Sequence, residues 1–276
     1  MRFPLITSIP PRLYRLDAAG ADVGEAYQEE CIASWRGASF EAFSVNSARE
    51  DTRSDLPAVR VTRDASQVTG RPHVFFADML AVGAEKAVNG RFAIANADLI
   101  LKPELANAVD RLQPGELLFC RRIDVECVGQ TEGSPYCDGF DFFAANVADV
   151  VGLKDSQMVF GAPWWDHYLP VILHMKGCKL RLLEPSVVHL VHGERWDWNI
   201  WTTLGQKFLE AISENATDAD YKARLKIARK GERSQPWWRL GQRQLAMNDS
   251  GEGINDILHR VSSMNVLFLD ERASIS

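Results

Sequence analysis

Short apolar runs alternate with stretches of helical periodicity over the first two thirds of the chain, and this alternation constrains the fold more than any other feature. Apolar runs bounded by turn residues are typical of buried strands, and strands that alternate with helices indicate βαβ units. The predicted strands are 3–9, 40–45, 58–62, 92–95, 117–120, 140–145 and 178–183, and the predicted helices are 25–35, 73–88, one opened by Pro103, and 170–175. The pattern predicts an α/β fold with a mixed, mostly parallel sheet flanked by helices.

Composition excludes several classes of protein. The 276 residues carry a formal net charge of -6, whereas proteins that bind nucleic acids generally show a basic footprint. No stretch approaches the ~18 uninterrupted apolar residues of a membrane span, and Pro4, Pro10 and Pro11 interrupt the N-terminal segment before a signal-peptide core. The five cysteines include no C-x-x-C pair, so neither a disulfide framework nor a zinc ribbon is indicated. These features predict a cytoplasmic protein without a nucleic-acid partner.

Two polar residues follow a predicted buried strand directly. Asn96 and Asp98 are two positions apart, so on extended chain both side chains face the same way. Ligands of open α/β sheets bind beyond the carboxyl ends of strands, where an Asp can hold a divalent cation that bridges phosphate oxygens. The alternative is that these two residues only cap a turn or a helix.

Five segments follow the order of the GT-A-type glycosyltransferases and resemble them. Residues 92–103, FAIANADLILKP, resemble that family's strand followed by D-x-D or N-x-D. Residues 6–12 and 43–50 resemble its first two strands with their nucleotide-contacting loops. Residues 139–143 and 160–166 resemble its acceptor-side strand and the helix that presents a carboxylate. The resemblance covers about residues 3–205, and it departs from the family in having Asn96 at the first acidic position.

The resemblance implies a GT-A-like (Rossmann-like) fold and transfer of a sugar from a nucleotide-sugar donor to a hydroxyl on a glycan or lipid-linked acceptor. It implies a divalent cation, Mn²⁺ or Mg²⁺, that offsets charge on the leaving nucleoside diphosphate. The residues expected to bind the nucleotide-sugar are Ser8, Arg12, Asn46, Glu50, Asn96 and Asp98.

The family's third metal contact is a His after the last core strand, for which His189 and His192 are candidates. Residues three apart face opposite sides of a regular strand, so one site is not expected to hold both. His192 abuts Gly193, where a loop begins, and is the preferred partner of Asp98 in the metal site. A structural role for either histidine remains the alternative.

The acceptor side is expected around Asp166, which follows Trp164 and Trp165 at the predicted start of a helix. Its functional interpretation is the general base of an inverting transfer, and its structural interpretation is a helix cap. Asp141, Trp164 and Trp165 are the expected acceptor-binding residues, since carboxylates bind hydroxyls and sugar rings stack on aromatic faces. The alternative for both tryptophans is packing in the core.

The composition changes near residue 200, which predicts a catalytic domain over 1–205 and a helical, basic C-terminal extension over 206–276. Residues 221–243 contain eight Lys or Arg and one acid. This segment is either a solvated helix face or a surface for an anionic acceptor or membrane, which leaves peripheral membrane association open.

Two other functions stay open. A nucleotidyltransferase uses a similar sheet but generally has a Gly-rich loop after the first strand, and residues 8–12, SIPPR, contain no glycine. A non-catalytic protein of the same fold that binds carbohydrate or nucleotide is the second alternative, and Asn96 in the first acidic position is consistent with it.

Overall fold

The computed structural model describes residues 2–17, 20–136, 139–193, 196 and 198–215. Its strands are β1 (Phe3–Thr7), β2 (Phe40–Ser47), β3 (Ala58–Val61), β4 (Arg91–Ala95), β5 (Leu99–Leu101), β6 (Glu116–Val125), β7 (Ser134–Pro135), β8 (Phe142–Asn146) and β9 (Lys179–Leu190). Its helices are α1 (Gly24–Gly37), α2 (Ser66–Thr69), α3 (Phe76–Lys86), α4 (Glu104–Asp110), α5 (Val147–Val150), α6 (Trp165–Met175) and α7 (Trp198–Asn215).

The strands of the described residues form one sheet in the order β3-β2-β1-β4-β8-β6-β9-β5, with β7 paired to β6. β1, β2, β3, β4, β6 and β9 run in one direction, because β8 pairs antiparallel with both β4 and β6. β5 and β7 run against this direction. The predicted fold class, a mixed and mostly parallel sheet flanked by helices, is confirmed.

Each face of the sheet carries a hydrophobic core, because successive side chains of a strand point to opposite faces. Ile6 belongs to the core that includes residues of α3, α6 and α7. Its neighbour Leu5 belongs to the other core, which includes residues of α1 and α4. β1, β4 and β8 are therefore buried along almost their whole length, which explains why their sequences are continuous apolar runs and not alternating ones.

The predicted strand 178–183 is extended in the structure to Leu190. The Glu184–Pro185 pair suggests a strand end in the sequence, because Pro cannot donate to a strand ladder. The register between β6 and β9 shifts at this point, so Pro185 lies in an irregularity of the pairing. The longer strand brings His189 to the edge of the sheet where β6 also ends.

Several other boundaries also differ from the sequence prediction. α6 begins at Trp165, one residue before the start predicted at Asp166, and it includes the predicted apolar helical stretch 170–175. α7 runs through the predicted domain boundary at residue 205, and its Leu204, Phe208 and Ile212 are buried in the same core as α6. The division into two units stays a prediction, and most of the predicted extension, including 221–243, lies outside the described residues. Among the described helices, none has both the length and the apolar character that crossing a membrane requires.

Candidate functional site

A cleft of about 750 Å³ opens at the edge of the sheet where the parallel strands end. This is the position at which open α/β sheets bind ligands. Residues that follow or end four of these strands line it: Ser8 after β1, Glu50 after β2, Asp98 after β4 and His189 in β9. The segment 160–167 forms another part of its wall.

Asp98, His189 and His192 converge in this cleft, and their possible ligand atoms all lie within 4.8 Å of one another. Oδ2 of Asp98 is 3.5 Å from Nε2 of His189 and 3.6 Å from Nε2 of His192. The expectation that only one histidine can reach the site is wrong. β9 ends at Leu190, so His192 lies beyond the strand and the alternation of faces does not apply to it.

The hydrogen bonds of the two rings fix how they face Asp98. Nδ1 of His189 is 2.9 Å from Oδ1 of Asp124, and Nδ1 of His192 is 2.9 Å from the carbonyl oxygen of Gly193. Both partners are acceptors, so each Nδ1 carries a hydrogen. A protonated ring then donates its Nε2–H to Asp98 in the free protein, whereas a neutral ring would present the lone pair of Nε2 to a cation. A carboxylate that orients a ligating His in this way is typical of metal sites. The donor set therefore fits a divalent cation.

Arg15 is a member of this site that the sequence does not reveal. It is 3% exposed, and its guanidinium forms an ion pair with Oδ2 of Asp98 and donates to the carbonyl of Tyr14 at 2.9 Å. We call Arg15, Asp98, His189 and His192 the Asp98 cluster. No periodic pattern surrounds Arg15 in sequence, and its backbone N–H donates to Asp22 where the chain turns.

Charge in the Asp98 cluster shifts two pKa values in opposite directions. Burial alone would raise the pKa of Asp98, but hydrogen bonds from His189 and His192 and the charge of Arg15 hold it well below its usual range. Burial alone would lower the pKa of His189, but the carboxylates of Asp124 and Asp98 raise it. The free protein therefore keeps Asp98 ionised and compensates it with neighbouring positive charge.

Side chains of α1 hold the backbone beside Asp98. Three of them donate to the carbonyl oxygens of three successive residues, 97–99: Gln28 to residue 97 at 2.8 Å, Tyr27 to residue 98 at 3.0 Å and Trp35 to residue 99 at 2.7 Å. The Tyr27 hydroxyl also accepts the backbone N–H of Leu190 at 2.8 Å. One hydroxyl thus joins the turn that carries Asp98 to the end of the strand that carries His189.

A buried polar network extends from the Asp98 cluster along the cleft. Arg122 donates to Oδ1 of Asp124 at 2.7 Å and to Oδ2 of Asp141 at 2.8 Å, and Asn96 donates to Oδ1 of Asp141 at 2.6 Å. Burial raises the pKa of Asp141, which is 6% exposed. Asn96 and Asp141 both line the cleft as their predicted roles require, but the side chains of both are already engaged with each other.

Asp166 also lines the cleft, in the first turn of α6. Oδ2 of its carboxylate accepts the backbone N–H of Phe140 at 3.1 Å, and Oδ1 lies 2.8 Å from Nδ1 of His167. A Cβ added to Gly139 would lie 2.5 Å from Oδ2 of Asp166, so only glycine leaves room for the carboxylate in this position. We call Gly139, Phe140, Asp166 and His167 the Asp166 group.

Trp164 and Trp165 differ in their surroundings although both line the cleft. Trp165 is 3% exposed and its ring packs against core rings such as that of Phe160, at 4.6 Å between centroids. Trp164 has a left-handed backbone (φ 77°), and its indole N–H donates to the carbonyl of Trp201 at 3.2 Å. A left-handed conformation is unfavourable for a bulky residue and is often found at functional sites.

Of the residues expected to bind the nucleotide, some line the cleft and others do not. Ser8 and Glu50 line the cleft, and burial raises the pKa of Glu50. Asn46 is fully buried, donates to the carbonyl of Ile9 at 2.9 Å and is not among the residues that line the cleft. The side chain of Arg12 is 76% exposed, is paired with an acid of the neighbouring turn, and does not line the cleft either.

Comparison with known proteins finds only distant likenesses. No protein-family model matches the chain, and no curated protein matches it. Among solved structures it is similar to S. aureus TarS 1-349 in complex with UDP-GlcNAc, at 14% identity and a TM-score of 0.47 over 98% of this chain and 92% of that chain. It is similar to the inositol-1-phosphate CTP transferase from T. maritima, at 14% identity and a TM-score of 0.41 over 79% of this chain and 97% of that chain. It is also similar to HddC from Yersinia pseudotuberculosis complexed with GMP-PN, at 8% identity and a TM-score of 0.39 over 77% and 99% of the two chains. Likenesses at this distance carry no argument about function, which has to be inferred from the site itself.

Proposed function

We propose that this protein is a glycosyltransferase that moves a sugar from a nucleotide-sugar donor to a hydroxyl acceptor and uses a divalent cation. The observation that carries the proposal is the convergence of Asp98, His189 and His192, with the buried Arg15, at the carboxyl ends of the strands. The same cleft presents a second carboxylate, Asp166, which bonds to the backbone N–H of Phe140 and to His167. One group of charges suits the donor, and a separate carboxylate suits the acceptor.

The donor end is built around the Asp98 cluster. Asp98, His189 and His192 would hold the cation, which when bound offsets negative charge on the leaving nucleoside diphosphate. Two imidazole ligands favour Mn²⁺ over Mg²⁺, because Mg²⁺ prefers oxygen ligands and keeps several waters. Ser8 and Glu50 line the same cleft beyond the ends of β1 and β2, and they are the residues proposed to bind the nucleotide.

The acceptor end is built around Asp166, which we propose takes the proton of the acceptor hydroxyl in an inverting transfer. The Phe140 N–H and His167 each bind one oxygen of the carboxylate, so its orientation is fixed before the acceptor arrives. Trp164 and Asp141 line the cleft and are the residues proposed to contact the acceptor.

The test is nucleotide-dependent thermal stabilisation, measured with Mn²⁺, with Mg²⁺ and with a chelator. We expect a nucleoside diphosphate to raise the melting temperature in Mn²⁺, because a ligand at 100 times its Kd adds about 2.7 kcal/mol to the free energy of unfolding. Asp98→Asn should abolish this effect. Asp55→Asn is the matched control, since Asp55 is exposed and lies outside the cleft. Stabilisation that survives both the chelator and Asp98→Asn would contradict the proposal.

Turnover separates the remaining alternatives. A glycosyltransferase releases nucleoside diphosphate from a nucleotide-sugar, at a slow rate even when water is the acceptor. A nucleotidyltransferase instead releases pyrophosphate from a nucleoside triphosphate and a sugar phosphate. A binding protein would show the Mn²⁺-dependent stabilisation with neither product.

A further inference from the structure

The guanidinium of Arg15 has more hydrogen-bonding capacity than the free protein uses. One terminal nitrogen donates to Asp98 and the other to the carbonyl of Tyr14. Nε is buried and has no partner within the described part of the chain. An arginine that is 3% exposed, lines a ligand cleft and keeps an unpaired N–H is unusual, because an unsatisfied buried donor carries the full cost of its desolvation.

Arg15 and a cation would compete for the same atom. The guanidinium pairs with Oδ2 of Asp98, which is also the oxygen nearest to Nε2 of His189 and of His192. A divalent cation held by those three side chains would therefore lie close to the positive charge of Arg15. In a buried site such a repulsion is only weakly screened. Asp98 cannot neutralise both the cation and Arg15, so Arg15 needs a second anion when the cation is bound.

We propose that Arg15 binds the diphosphate of the donor, and that its transfer from Asp98 to the diphosphate couples donor binding to cation binding. The planar guanidinium matches phosphate oxygens with two parallel N–H donors, and Nε supplies one of them. With Asp98 at -1, Arg15 at +1 and a divalent cation, the site carries a net +2, which complements the two charges of a diphosphate diester. The cation alone binds weakly, and cation and diphosphate bind tightly together.

This inference rests on the proposed function only for the class of donor, and its test uses neither a sugar nor a nucleotide base. The probes are Mn²⁺ alone and a preformed complex of Mn²⁺ with inorganic pyrophosphate, each titrated into the full chain by calorimetry. The association of Mn²⁺ with pyrophosphate in solution is the same for every variant and cancels in the comparison. We expect wild-type protein to bind the complex at least about ten-fold more tightly than Mn²⁺ alone.

Arg15→Gln should move the two affinities in opposite directions. Mn²⁺ alone should bind about ten-fold more tightly, because the competing charge is gone, and the Mn²⁺–pyrophosphate complex should bind about ten-fold more weakly. Arg111→Gln, on an exposed arginine outside the cleft, should change neither. Affinities that fall together, or that do not change, would overturn the proposal and leave Arg15 as a structural counter-ion of Asp98.

Arg15→Lys keeps the test decisive if Arg15→Gln does not fold. Lysine retains the charge that compensates Asp98 but lacks the planar fork, so Mn²⁺ alone should bind within about two-fold of wild type while the complex binds several-fold more weakly. An unchanged affinity for the complex would overturn the proposal. Opposed shifts in Arg15→Gln without any sugar transfer would retain this inference and reject the glycosyltransferase proposal. Sugar transfer by the protein, with both affinities of Arg15→Gln shifted in the same direction, would support the glycosyltransferase proposal and reject this inference.

Discussion

The Asp98 cluster and the Asp166 group share one cleft but are assembled in different ways. Asp98 is bound by residues distant in sequence, since its ion pair with Arg15 spans 83 positions. Asp166 is bound by its neighbour His167 and by the backbone of Phe140, 26 positions away. Asp98 has a guanidinium and two imidazole rings around it, whereas Asp166 has two hydrogen-bond donors. The first arrangement suits a cation, and the second suits a carboxylate that must accept a proton in a fixed direction.

The comparison predicts that damage to each group affects a different step. Changes in the Asp98 cluster or its supports should alter binding of the cation and the donor. Changes in the Asp166 group should alter the rate of transfer at saturating donor. The predictions that follow test this division, beginning with the largest expected effect.

Asp166→Asn should reduce kcat for transfer by about 10²- to 10⁴-fold, because the amide cannot take the proton of the acceptor hydroxyl. The remaining amide oxygen can still accept one of the two hydrogen bonds at this position, so folding and the Kd of the donor should change little. Steady-state kinetics with product analysis, together with donor titration by calorimetry, measure both quantities. A product with retained anomeric configuration, or full activity in this variant, would reject the role of Asp166 as the base.

Tyr27→Phe should weaken Mn²⁺ binding by about 10- to 100-fold, the range typical of residues that orient metal ligands. The variant removes the donor to the carbonyl of Asp98 and the acceptor of the Leu190 N–H, so both segments of the site lose their common support. Calorimetry with Mn²⁺ measures the change. Tyr168→Phe is the matched control, a buried tyrosine outside this cleft whose hydroxyl bonds to the carbonyl of Lys154. If both variants lose similar stability and neither loses Mn²⁺ affinity, Tyr27 has no part in the site.

Gly139→Ala should lower kcat by about ten-fold and leave Mn²⁺ affinity unchanged, because the added methyl group displaces the carboxylate of Asp166 without reaching the Asp98 cluster. Gly37→Ala adds the same methyl group at a position with open space and should change neither quantity. Steady-state kinetics give kcat, and calorimetry gives the Mn²⁺ affinity, for both variants. A parallel loss of cation binding in Gly139→Ala would mean that the two groups are not independent.

The smallest effect concerns pH and contrasts two histidines of the cleft. Burial, with a contribution from the charge of Arg71, lowers the pKa of His73 to about 4, whereas the pKa of His189 is raised by its two carboxylates. An unfolded His titrates near pH 6.5, so the unfolded chain gains a proton at His73 before the folded protein does. The contribution of a neutral His73 is therefore present above about pH 6.5 and is lost as the pH falls towards 4.

Urea unfolding of wild type and His73→Gln at pH 7 and pH 5 tests this sign. Wild type should lose about 1–2 kcal/mol more of its free energy of unfolding between these values than the variant does. The contribution of His189 has the opposite sign, since it is present below about pH 6.5 and is lost as the pH rises through its raised pKa. Equal losses in wild type and His73→Gln would show that the pKa of His73 is not lowered in the folded protein.

The sequence predicts the location of the site better than its contacts. Asp98 can be found because it directly follows a buried strand, and the carboxyl ends of parallel strands meet at one edge. Arg12 is the nearest basic residue to the end of β1, but it is exposed, and Arg15 three positions later reaches Asp98. Side-chain periodicity cannot distinguish the two, because their segment is neither helix nor strand and its direction depends on the turn around Asp22.

The fold shows the same division between local and long-range information. The apolar runs predict β1, β4 and β8 because a strand that is buried on both faces has a continuous apolar sequence. The extension of β9 past Pro185 depends on an irregular pairing with β6, which no local pattern records. The error about His189 and His192 has the same origin, since the position at which β9 ends decides whether both rings can face one ion.

The hydrogen bond between Tyr27 and Leu190 closes a loop of 163 residues. During synthesis, the site cannot be completed until β9 has left the ribosome and taken its place beside β6, long after Asp98 and its turn are available. A bound cation would then stabilise the contact between α1 and the end of β9, and its binding free energy would add to the free energy of unfolding. If the site binds manganese as proposed, depletion of manganese should shorten the lifetime of the folded protein, and resistance to proteolysis would report whether the site is occupied.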